Sequence, residues 1–316
     1  MAEQDIFQPR DKPTMYFIGV TTSRSSIMKI FPKWAKILKI DAQIMGYDCP
    51  LHAPPEVYQR IVEHIKRDPL SMGALVTTHK IDLLQAARSL FDYLDPYAEL
   101  CREVSSISKR DNMLRGHAKD PISSGLAWEA FVPPGHWEKT GSDVLCLGAG
   151  GSAVAISVYI ANRDQAADRP RKFIAVNRSS GRLEMLREIH QHLETDIEFD
   201  YVLNDDPAVN DALMARLPAG SMVINATGMG KDRPGSPVTD NAVWPYNGLV
   251  WELNYRGELD FMHQALRKAE QYNLTIEDGW VYFLHGWTQV IAEVFDLQLT
   301  PELFLQLSEA ASEFRS

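Results

Sequence analysis

Cysteine is rare in this sequence, with three among 316 residues. Cys49, Cys101 and Cys146 lie far apart, and none belongs to a C-x-x-C pair. A disulfide framework and a zinc site both need cysteines at suitable spacing, so the pattern favours neither. The sequence therefore predicts a protein of a reducing compartment without a metal site.

An excess of basic charge and long hydrophobic runs are also missing. The formal net charge is −10, whereas a nucleic-acid-binding surface needs an excess of Lys and Arg. No apolar run approaches the ~18 residues that a membrane-spanning helix needs. The first 14 residues, MAEQDIFQPRDKPT, do not resemble a signal peptide. We expect a soluble, cytoplasmic protein that binds neither nucleic acid nor membrane. A homodimer stays open, because the sequence does not determine the oligomeric state.

Short apolar segments alternate with amphipathic segments along most of the chain. Helical spacing of apolar residues is seen, for example, at 28–39. This alternation is typical of α/β proteins, in which helices cover a parallel sheet. The length favours two domains, and VPPGHWEKTGS at 132–142 indicates a boundary nearby. The segments with strand character are 15–20, 74–76, the start of 143–161, 172–177, 197–203, 221–227 and 249–253.

The stretch DVLCLGAGGSAVA combines a buried strand, a glycine-rich turn and the start of a helix. Glycines in such a turn let backbone N–H groups approach a pyrophosphate at the helix N-terminus. A glycine turn can also serve helix–strand packing alone. The strand before it and the helix after it favour nucleotide binding. The candidate cofactor-binding residues in this turn are Gly148, Ala149, Gly150, Gly151, Ser152 and Ala153.

The following strand indicates which dinucleotide is bound. NAD-binding domains usually end this strand on Asp or Glu, which holds the ribose hydroxyls. Here the strand runs into AVNRSSGR, which contains no carboxylate. Arginine can bind the 2′-phosphate of NADP, so the charge pattern favours NADP over NAD. The alternative is that both arginines are only solvated. The candidate residues are Asn177, Arg178, Ser179 and Arg182.

Four segments resemble the shikimate/quinate dehydrogenase family in their order and spacing. They are the GAGG loop, NRSxxR from Asn177, VINATGMG at 223–230 and the Asp-Gly pair before a C-terminal helix. The resemblance covers about residues 15–310. It implies reversible, NADP-dependent hydride transfer at a ring carbinol, and cofactor contacts from Thr227, Gly228, Met229 and Gly279.

The resemblance also implies that one domain binds the substrate and a second domain binds the dinucleotide. Residues 1–130 would form an α/β substrate-binding domain, completed by C-terminal helices at 283–316. Residues 131–282 would form a Rossmann-type dinucleotide-binding domain. The active-site cleft is then expected between the two domains.

Two short segments resemble the catalytic motifs of that family. GALVTTHK at 73–80 is a shortened counterpart of its G-x-N-V-T-x-P-x-K segment, with Lys80 at the lysine and Thr77 at the threonine. GHAKD places Asp120 at the aspartate of its G-x-N-T-D segment. Oxidation of an alcohol by hydride transfer leaves a proton to be moved. A lysine aimed by a carboxylate can move it, so the resemblance implies a Lys80–Asp120 pair around the reacting hydroxyl.

Each of these residues also has a simpler interpretation. Most lysines are solvated surface residues, although the family segment favours a catalytic role for Lys80. Asp120 is also suited to cap the helix that PISSGLAWEAF predicts, and the two roles are compatible. His79 is expected to be a loop histidine, because no second metal ligand lies at a useful spacing.

The serine pair with which the family holds a substrate carboxylate is altered here. The family's HSxSP motif corresponds to TTSRSSIM, where Ser25 takes the first serine place and Ile27 the second. Ser23 or Ser26 can substitute after a small shift. Arg24 can hold a carboxylate instead.

Other substrate contacts of the family change as well. Ser105 stands where the family has an asparagine, whereas Tyr255 matches its tyrosine. The glutamine of the family's C-terminal helix falls at Gly286, with Gln289 one turn further on. Unpaired buried hydrogen-bonding groups are costly, so such changes alter substrate choice. We therefore expect a shikimate- or quinate-related acid or a cyclitol, oxidised or reduced at a ring position, rather than shikimate itself.

Two alternatives stay open from the sequence. A genuine shikimate or quinate dehydrogenase would need a compensating pocket. A non-catalytic nucleotide-binding sensor would have kept the fold without the chemistry. The retained Lys80 and Asp120 disfavour the sensor, because a sensor has no need of a proton shuttle.

Overall fold

The chain divides into two units in the computed structural model, which describes residues 7–231 and 233–315. The first unit comprises the chain up to Lys119 together with Gly286 onwards, and the second comprises Asp120–His285. The boundary expected after residue 130 falls near the end of the first helix of the second unit. The expectation about a signal peptide concerns in part residues 1–6, which lie outside the described residues.

A six-stranded mixed sheet forms the centre of the first unit. Strand β1 is buried along its whole length, as a continuous apolar run predicts for a central strand. It pairs in parallel with β2 and β3, whereas β5 is antiparallel to β3 and β6. The spatial order is β2-β1-β3-β5-β6-β4. The strands are β1 (Thr14–Gly19), β2 (Gln43–Asp48), β3 (Ser71–Val76), β4 (Tyr93–Leu94), β5 (Ser106–Arg110) and β6 (Met113–His117).

Helices pack around this sheet. The helices of the first unit are α1 (Ile27–Leu38), α2 (Pro55–Arg67), α3 (Lys80–Ala87), α4 (Pro96–Cys101) and α12 (Pro301–Ser312). α2 begins at a proline, which suits the first helical position, and buries Ile61 and Ile65 on one face. α12 packs on α1, where Trp34 Nε1 donates a hydrogen bond to Leu307 O at 2.7 Å. The C-terminal segment thus adds to the core of the first unit.

The second unit is built on a parallel six-stranded sheet. Its strands are β7 (Asp143–Leu147), β8 (Lys172–Asn177), β9 (Glu198–Leu203), β10 (Met222–Asn225), β11 (Leu249–Glu252) and β12 (Thr275–Glu277). The spatial order is β12-β11-β10-β7-β8-β9, and each neighbouring pair is parallel. The chain runs outwards from β7 to β8 and β9, and then crosses to β10 on the other side. Such a reversal of strand order marks the place where dinucleotides bind in open α/β sheets.

The remaining helices accompany this second sheet. They are α5 (Asp120–Phe131), α6 (His136–Thr140), α7 (Gly151–Ala161), α8 (Ser180–His190), α9 (Pro207–Met214) and α10 (Asp260–Tyr272), and α11 (Trp280–Phe295) contains the division at Gly286. α5 packs closely on α7, since a Cβ at Gly125 would lie 2.2 Å from the Tyr159 ring. A larger residue at Gly125 would require the Tyr159 ring to move.

The predicted α/β fold with a Rossmann-type unit is confirmed, and the strands expected from the sequence lie within a few residues of their predicted places. The sequence did not indicate strands β2, β4, β5, β6 and β12. β2 carries partly exposed residues, and β5 reads SISKR, so neither has a strong apolar pattern. Among the described residues, no helix combines the length and the apolar character that crossing a membrane requires.

Candidate functional site

Lys80 follows directly after a strand end, in a tight turn from β3 into α3. Thr77 N donates to Ile18 O at 2.9 Å, which ties the start of the turn to β1. Thr78 adopts a left-handed conformation (φ 63°), and His79 N donates to Thr77 O at 2.6 Å. Lys80 is then the first residue of α3 and is half-buried. The turn therefore presents both Lys80 and Thr77 at the carboxyl end of a central strand.

His79 lies in the turn between β3 and α3, as expected for a loop histidine. Its side chain is buried, and Nδ1 lies 3.1 Å from the Tyr58 hydroxyl of α2. Burial lowers the pKa of its imidazole. The left-handed Thr78 shortens the turn and directs His79 inwards while Lys80 starts the helix. Sequence reasoning missed this because an isolated histidine carries no burial signal.

The altered serine segment lies at the end of β1 and is tied to β2. Asp48 Oδ1 accepts hydrogen bonds from Thr22 N at 2.7 Å and Thr22 Oγ1 at 2.5 Å. A short 3-10 helix spans Thr22–Arg24, in which Ser23 is exposed, and Ser25 follows half-buried. The segment is thus anchored by Thr22, and both candidate serines lie next to that anchor.

Ser105 uses its hydroxyl inside the first unit. It is 2% exposed, and Oγ accepts a hydrogen bond from Lys119 N at 2.8 Å. The Lys119 ammonium donates to Glu293 Oε2 of α11 at 2.6 Å, and His117 Nε2 lies 3.5 Å from Glu293 Oε1. Gln289 lies one turn before Glu293 on α11 and is half-buried. Of these two candidate substrate contacts, Ser105 already has a backbone hydrogen-bond partner, whereas the Gln289 side chain is partly exposed.

The two candidate catalytic residues belong to different units. Lys80 lies in the first unit, whereas Asp120 is the first residue of α5 and of the second unit. Asp120 is half-buried, like Lys80. Their pairing stays a prediction.

The glycine-rich turn joins β7 to α7 as predicted and approaches β10 closely. Gly148 has φ 122°, and a Cβ on it would lie 2.5 Å from Ala226 O. Gly150 caps α7, and a Cβ there would meet nothing within 4 Å. Gly151 and Ser152 open the helix half-buried, while Ala149 and Ala153 are fully buried. The turn thus leaves open space in front of the N-terminus of α7, where an anionic pyrophosphate is stabilised.

The segment after β8 forms a second turn at the same edge of the sheet. Asn177 Oδ1 accepts a hydrogen bond from Ser179 N at 3.0 Å, which folds the turn. Ser179 then caps α8 by accepting from Arg182 N at 3.4 Å. Arg178 and Arg182 are both exposed. Two guanidinium groups beside a helix N-terminus suit a phosphate monoester.

The segment after β10 is held by a buried polar network that the sequence did not reveal. Asn225 Oδ1 accepts from Thr227 N at 3.2 Å and from Thr227 Oγ1 at 2.7 Å. Thr227 Oγ1 in turn accepts from Met229 N at 3.1 Å. Gly228 has φ 73°, which permits the tight turn between them. Thr227, Gly228 and Met229 are all half-buried at this edge.

Glu252 completes this network at the end of β11. It is 0% exposed, and it accepts hydrogen bonds from the side chains of Asn225 at 2.8 Å and Asn254 at 2.7 Å. Burial raises the pKa of its carboxyl to about 7, against these hydrogen bonds and the charge of Lys231. A carboxylate that ends the apolar strand LVWE is the signal that could have identified it from the sequence.

Tyr255 follows β11 and Gly279 follows β12. The Tyr255 ring packs edge-on against Trp280, with centroids 5.4 Å apart, and against Phe283 at 4.5 Å. A Cβ on Gly279 would lie 2.0 Å from Leu253 O, so only glycine fits beside that backbone. Gly279 N donates to Asn254 O at 3.0 Å. Within residues 7–231 and 233–315, no cluster of three His, Cys, Asp or Glu side chains is arranged to hold a metal ion.

Curated proteins similar to this chain are shikimate dehydrogenases (NADP(+)), while no protein-family model matches it. The Methylocella silvestris protein is 25% identical over 297 residues, or 92% of this chain and 94% of that protein. The Nitrosopumilus maritimus protein is 22% identical over 274 residues, or 86% and 89%. The Lactococcus lactis protein is 25% identical over 181 residues, or 57% and 60%. The similarity extends over nearly the full length of the first two proteins.

Solved structures with the same fold include two shikimate dehydrogenases. One, in complex with NADP+, has a TM-score of 0.72 at 18% identity, with 98% of each chain covered. The Thermus thermophilus enzyme, with NADP(H) and shikimate, has a TM-score of 0.68 at 18% identity, with 95% and 99% covered. A 5-ketofructose reductase of Gluconobacter has a TM-score of 0.65 at 18% identity, with 94% and 98% covered. One fold therefore serves enzymes named for different substrates.

Proposed function

Because this chain is a shikimate dehydrogenase-like protein by sequence and by fold, we propose that it is an NADP-dependent oxidoreductase acting on a CH–OH group. The proposed reaction transfers a hydride to or from a ring hydroxyl or ketone of a shikimate- or quinate-related acid or a cyclitol. The single observation that carries the proposal is the open glycine turn at the N-terminus of α7, at the switch point of a parallel sheet.

The residues of the second unit fit NADP. The turn from Gly148 to Ala153 would hold the pyrophosphate, since no Cβ fills the space in front of Gly150. Arg178, Ser179 and Arg182 would hold the 2′-phosphate. Bound there, NADP supplies the acceptor or donor of the hydride.

We propose that Lys80 transfers the proton of the reaction and that Asp120 is the partner of Lys80. The assignment rests on the two sequence segments and on the position of Lys80 at the carboxyl end of a central strand. Lys80 would take the hydroxyl proton during oxidation and return it during reduction. Asp120 would keep the ammonium group charged and oriented. Thr77, on the same turn, would hold the substrate near the lysine.

The substrate is proposed to differ from shikimate. Ser105 replaces the family's asparagine, and its hydroxyl already accepts from Lys119 N inside the first unit. The contacts left for the substrate are Ser23, Ser25, Thr77, Tyr255 and Gln289. The names of the curated relatives favour a second candidate, shikimate itself. That the protein is cytoplasmic and that it forms a homodimer stay predictions.

A panel of substrates tests both candidates. The absorbance of reduced nicotinamide is followed with NADP or NAD and with shikimate, quinate and several cyclitols. We expect turnover with NADP and with at least one of the alternative alcohols at a higher kcat/KM than with shikimate. A higher kcat/KM for shikimate would establish the second candidate. Tight NADP binding without turnover of any alcohol would contradict the enzymatic function.

Arg178→Ala tests the choice of cofactor. Loss of a charge-assisted hydrogen bond to the 2′-phosphate is expected to weaken NADP about 10- to 100-fold while NAD changes by less than about twofold. Binding is measured by nucleotide titration. Arg187→Ala is the control. Arg187 is also an exposed arginine of α8, but it lies in the last turn of the helix and pairs with Glu184. Equal losses for NADP and NAD would contradict the phosphate-binding role.

A further inference from the structure

Glu252 is a fully buried carboxylate for which the proposed chemistry has no use. It ends β11 and lies opposite Asn225, which ends the parallel neighbour β10. Both residues are 0% exposed. Burying a carboxylate is costly unless its hydrogen-bonding capacity is met, so such a group is expected to have a structural or functional purpose.

Three N–H donors converge on the two oxygens of Glu252. Oε1 accepts from Asn254 N at 2.9 Å and from Asn254 Nδ2 at 2.7 Å. Oε2 accepts from Asn225 Nδ2 at 2.8 Å. The carboxylate therefore fixes the side-chain orientation of both asparagines, one on each of two neighbouring strand ends.

The two asparagines in turn hold the segment after β10. Asn225 Nδ2 lies 3.3 Å and Asn254 Nδ2 lies 3.0 Å from Met229 O, and both donate to it. Asn225 Oδ1 accepts from the backbone and hydroxyl of Thr227. The turn from Thr227 to Met229 is thus fastened at both ends by groups that Glu252 orients.

The order of the strands shows which half of a dinucleotide this turn would meet. The pyrophosphate site lies at the end of β7, and Arg178 lies at the end of β8 on one side of it. β10 and β11 lie on the other side of β7. A dinucleotide with its 2′-phosphate near Arg178 therefore extends its nicotinamide half over the turn at Thr227–Met229.

We propose that Glu252 is a positioning residue that orients Asn225 and Asn254, and through them holds the Thr227–Met229 turn for the nicotinamide half of the cofactor. This inference rests on the proposed function. Glu252 touches neither cofactor nor substrate and acts through the two amides.

Glutamine is the informative replacement at this position. Its side chain has the length of glutamate but offers one accepting oxygen in place of two. If that oxygen faces Asn254, the new amide nitrogen faces Asn225 Nδ2, and two donors oppose each other. Asn225 cannot turn its amide round, because its Oδ1 already accepts from Thr227. Aspartate, in contrast, keeps two accepting oxygens.

The test compares NADP with adenosine 2′,5′-bisphosphate, which contains only the Arg178 side of the cofactor. Dissociation constants are measured at about pH 8, where the carboxyl is ionised. We expect Glu252→Gln to weaken NADP about tenfold, the equivalent of one lost hydrogen bond, and the bisphosphate by less than about twofold. Glu252→Asp is expected to recover part of the NADP affinity. Glu270→Gln, at an exposed residue of α10, is the charge-matched control.

Hydrogen exchange gives a second readout that needs no cofactor. In Glu252→Gln, the amides of Thr227 and Met229 are expected to exchange faster, while those of β8 and α8 keep their wild-type rates. Equal weakening of both ligands, or faster exchange throughout the second unit, would show a general loss of stability and overturn the inference. Unchanged NADP affinity would overturn it as well. If the wild type binds neither ligand, the proposed function fails and the inference fails with it.

Discussion

Lys80→Ala is expected to lower kcat about 10³-fold while the dissociation constant of NADP changes by less than about twofold. A positioned acid–base group contributes roughly 10²- to 10⁴-fold to a rate, and alanine cannot accept or donate the proton. Cofactor binding is expected to persist because the glycine turn and Arg178 belong to the second unit. Alanine is a good helix former, so α3 should still begin at this position. Steady-state rates and nucleotide titration measure the two quantities.

The control for this substitution is Lys29→Ala, since Lys29 is exposed on α1. It removes the same charge from the first unit and is expected to leave kcat unchanged. A small primary amine added to the Lys80→Ala protein is expected to restore part of the rate, because the missing group is a proton carrier. Near-normal turnover of Lys80→Ala would contradict the assignment of the proton to Lys80.

Replacing Glu252 by glutamine is also expected to change the dependence of stability on pH. The carboxyl pKa rises from 4.5 to about 7 on burial. Below pH 4.5 the carboxyl is protonated in both folded and unfolded chains, and burial costs no ionisation energy. As pH rises from 4.5 to 7, the unfolded chain ionises first, so the folded state loses stability relative to it. The full loss is on the order of 3 kcal/mol and is reached above pH 7.

Buried histidines make the folded state more stable as pH rises, which is opposite to the effect of Glu252. The prediction therefore concerns the difference in stability between the wild type and Glu252→Gln. Burial lowers the pKa of His190 to about 3 and that of His285 to about 4. Their stabilisation is present above pH 6.5 and is lost as pH falls. The histidines are common to wild type and Glu252→Gln, and subtraction removes them. Urea unfolding is measured at several pH values. Between pH 4.5 and 7, the free energy of unfolding of Glu252→Gln should increase relative to that of the wild type. A difference independent of pH would contradict the raised pKa.

The second unit, with its proposed nucleotide site, could be predicted from sequence because its signals are local. In the stretch from Asp143 to Ala153, the strand, glycine turn and helix start are consecutive, so neighbouring residue types specify the structure. The cap at Ser179 and the two arginines follow their strand directly in the same way. The positions of Lys80 and Thr77 after β3 could also be predicted from the sequence, because the end of β3 and the start of α3 lie within one short segment.

Only the tertiary structure decided which distant residues meet. Asn225 and Glu252 are 27 residues apart, and they touch because β10 and β11 pair in register. His79 is buried because the left-handed Thr78 and the Tyr58 hydroxyl of α2 direct it inwards. The Ser105 hydroxyl accepts from Lys119 N because the antiparallel pairing of β5 and β6 brings the residues before β5 next to those after β6. Burial and hydrogen-bond partners across a sheet depend on strand order, which residue patterns along the chain do not encode.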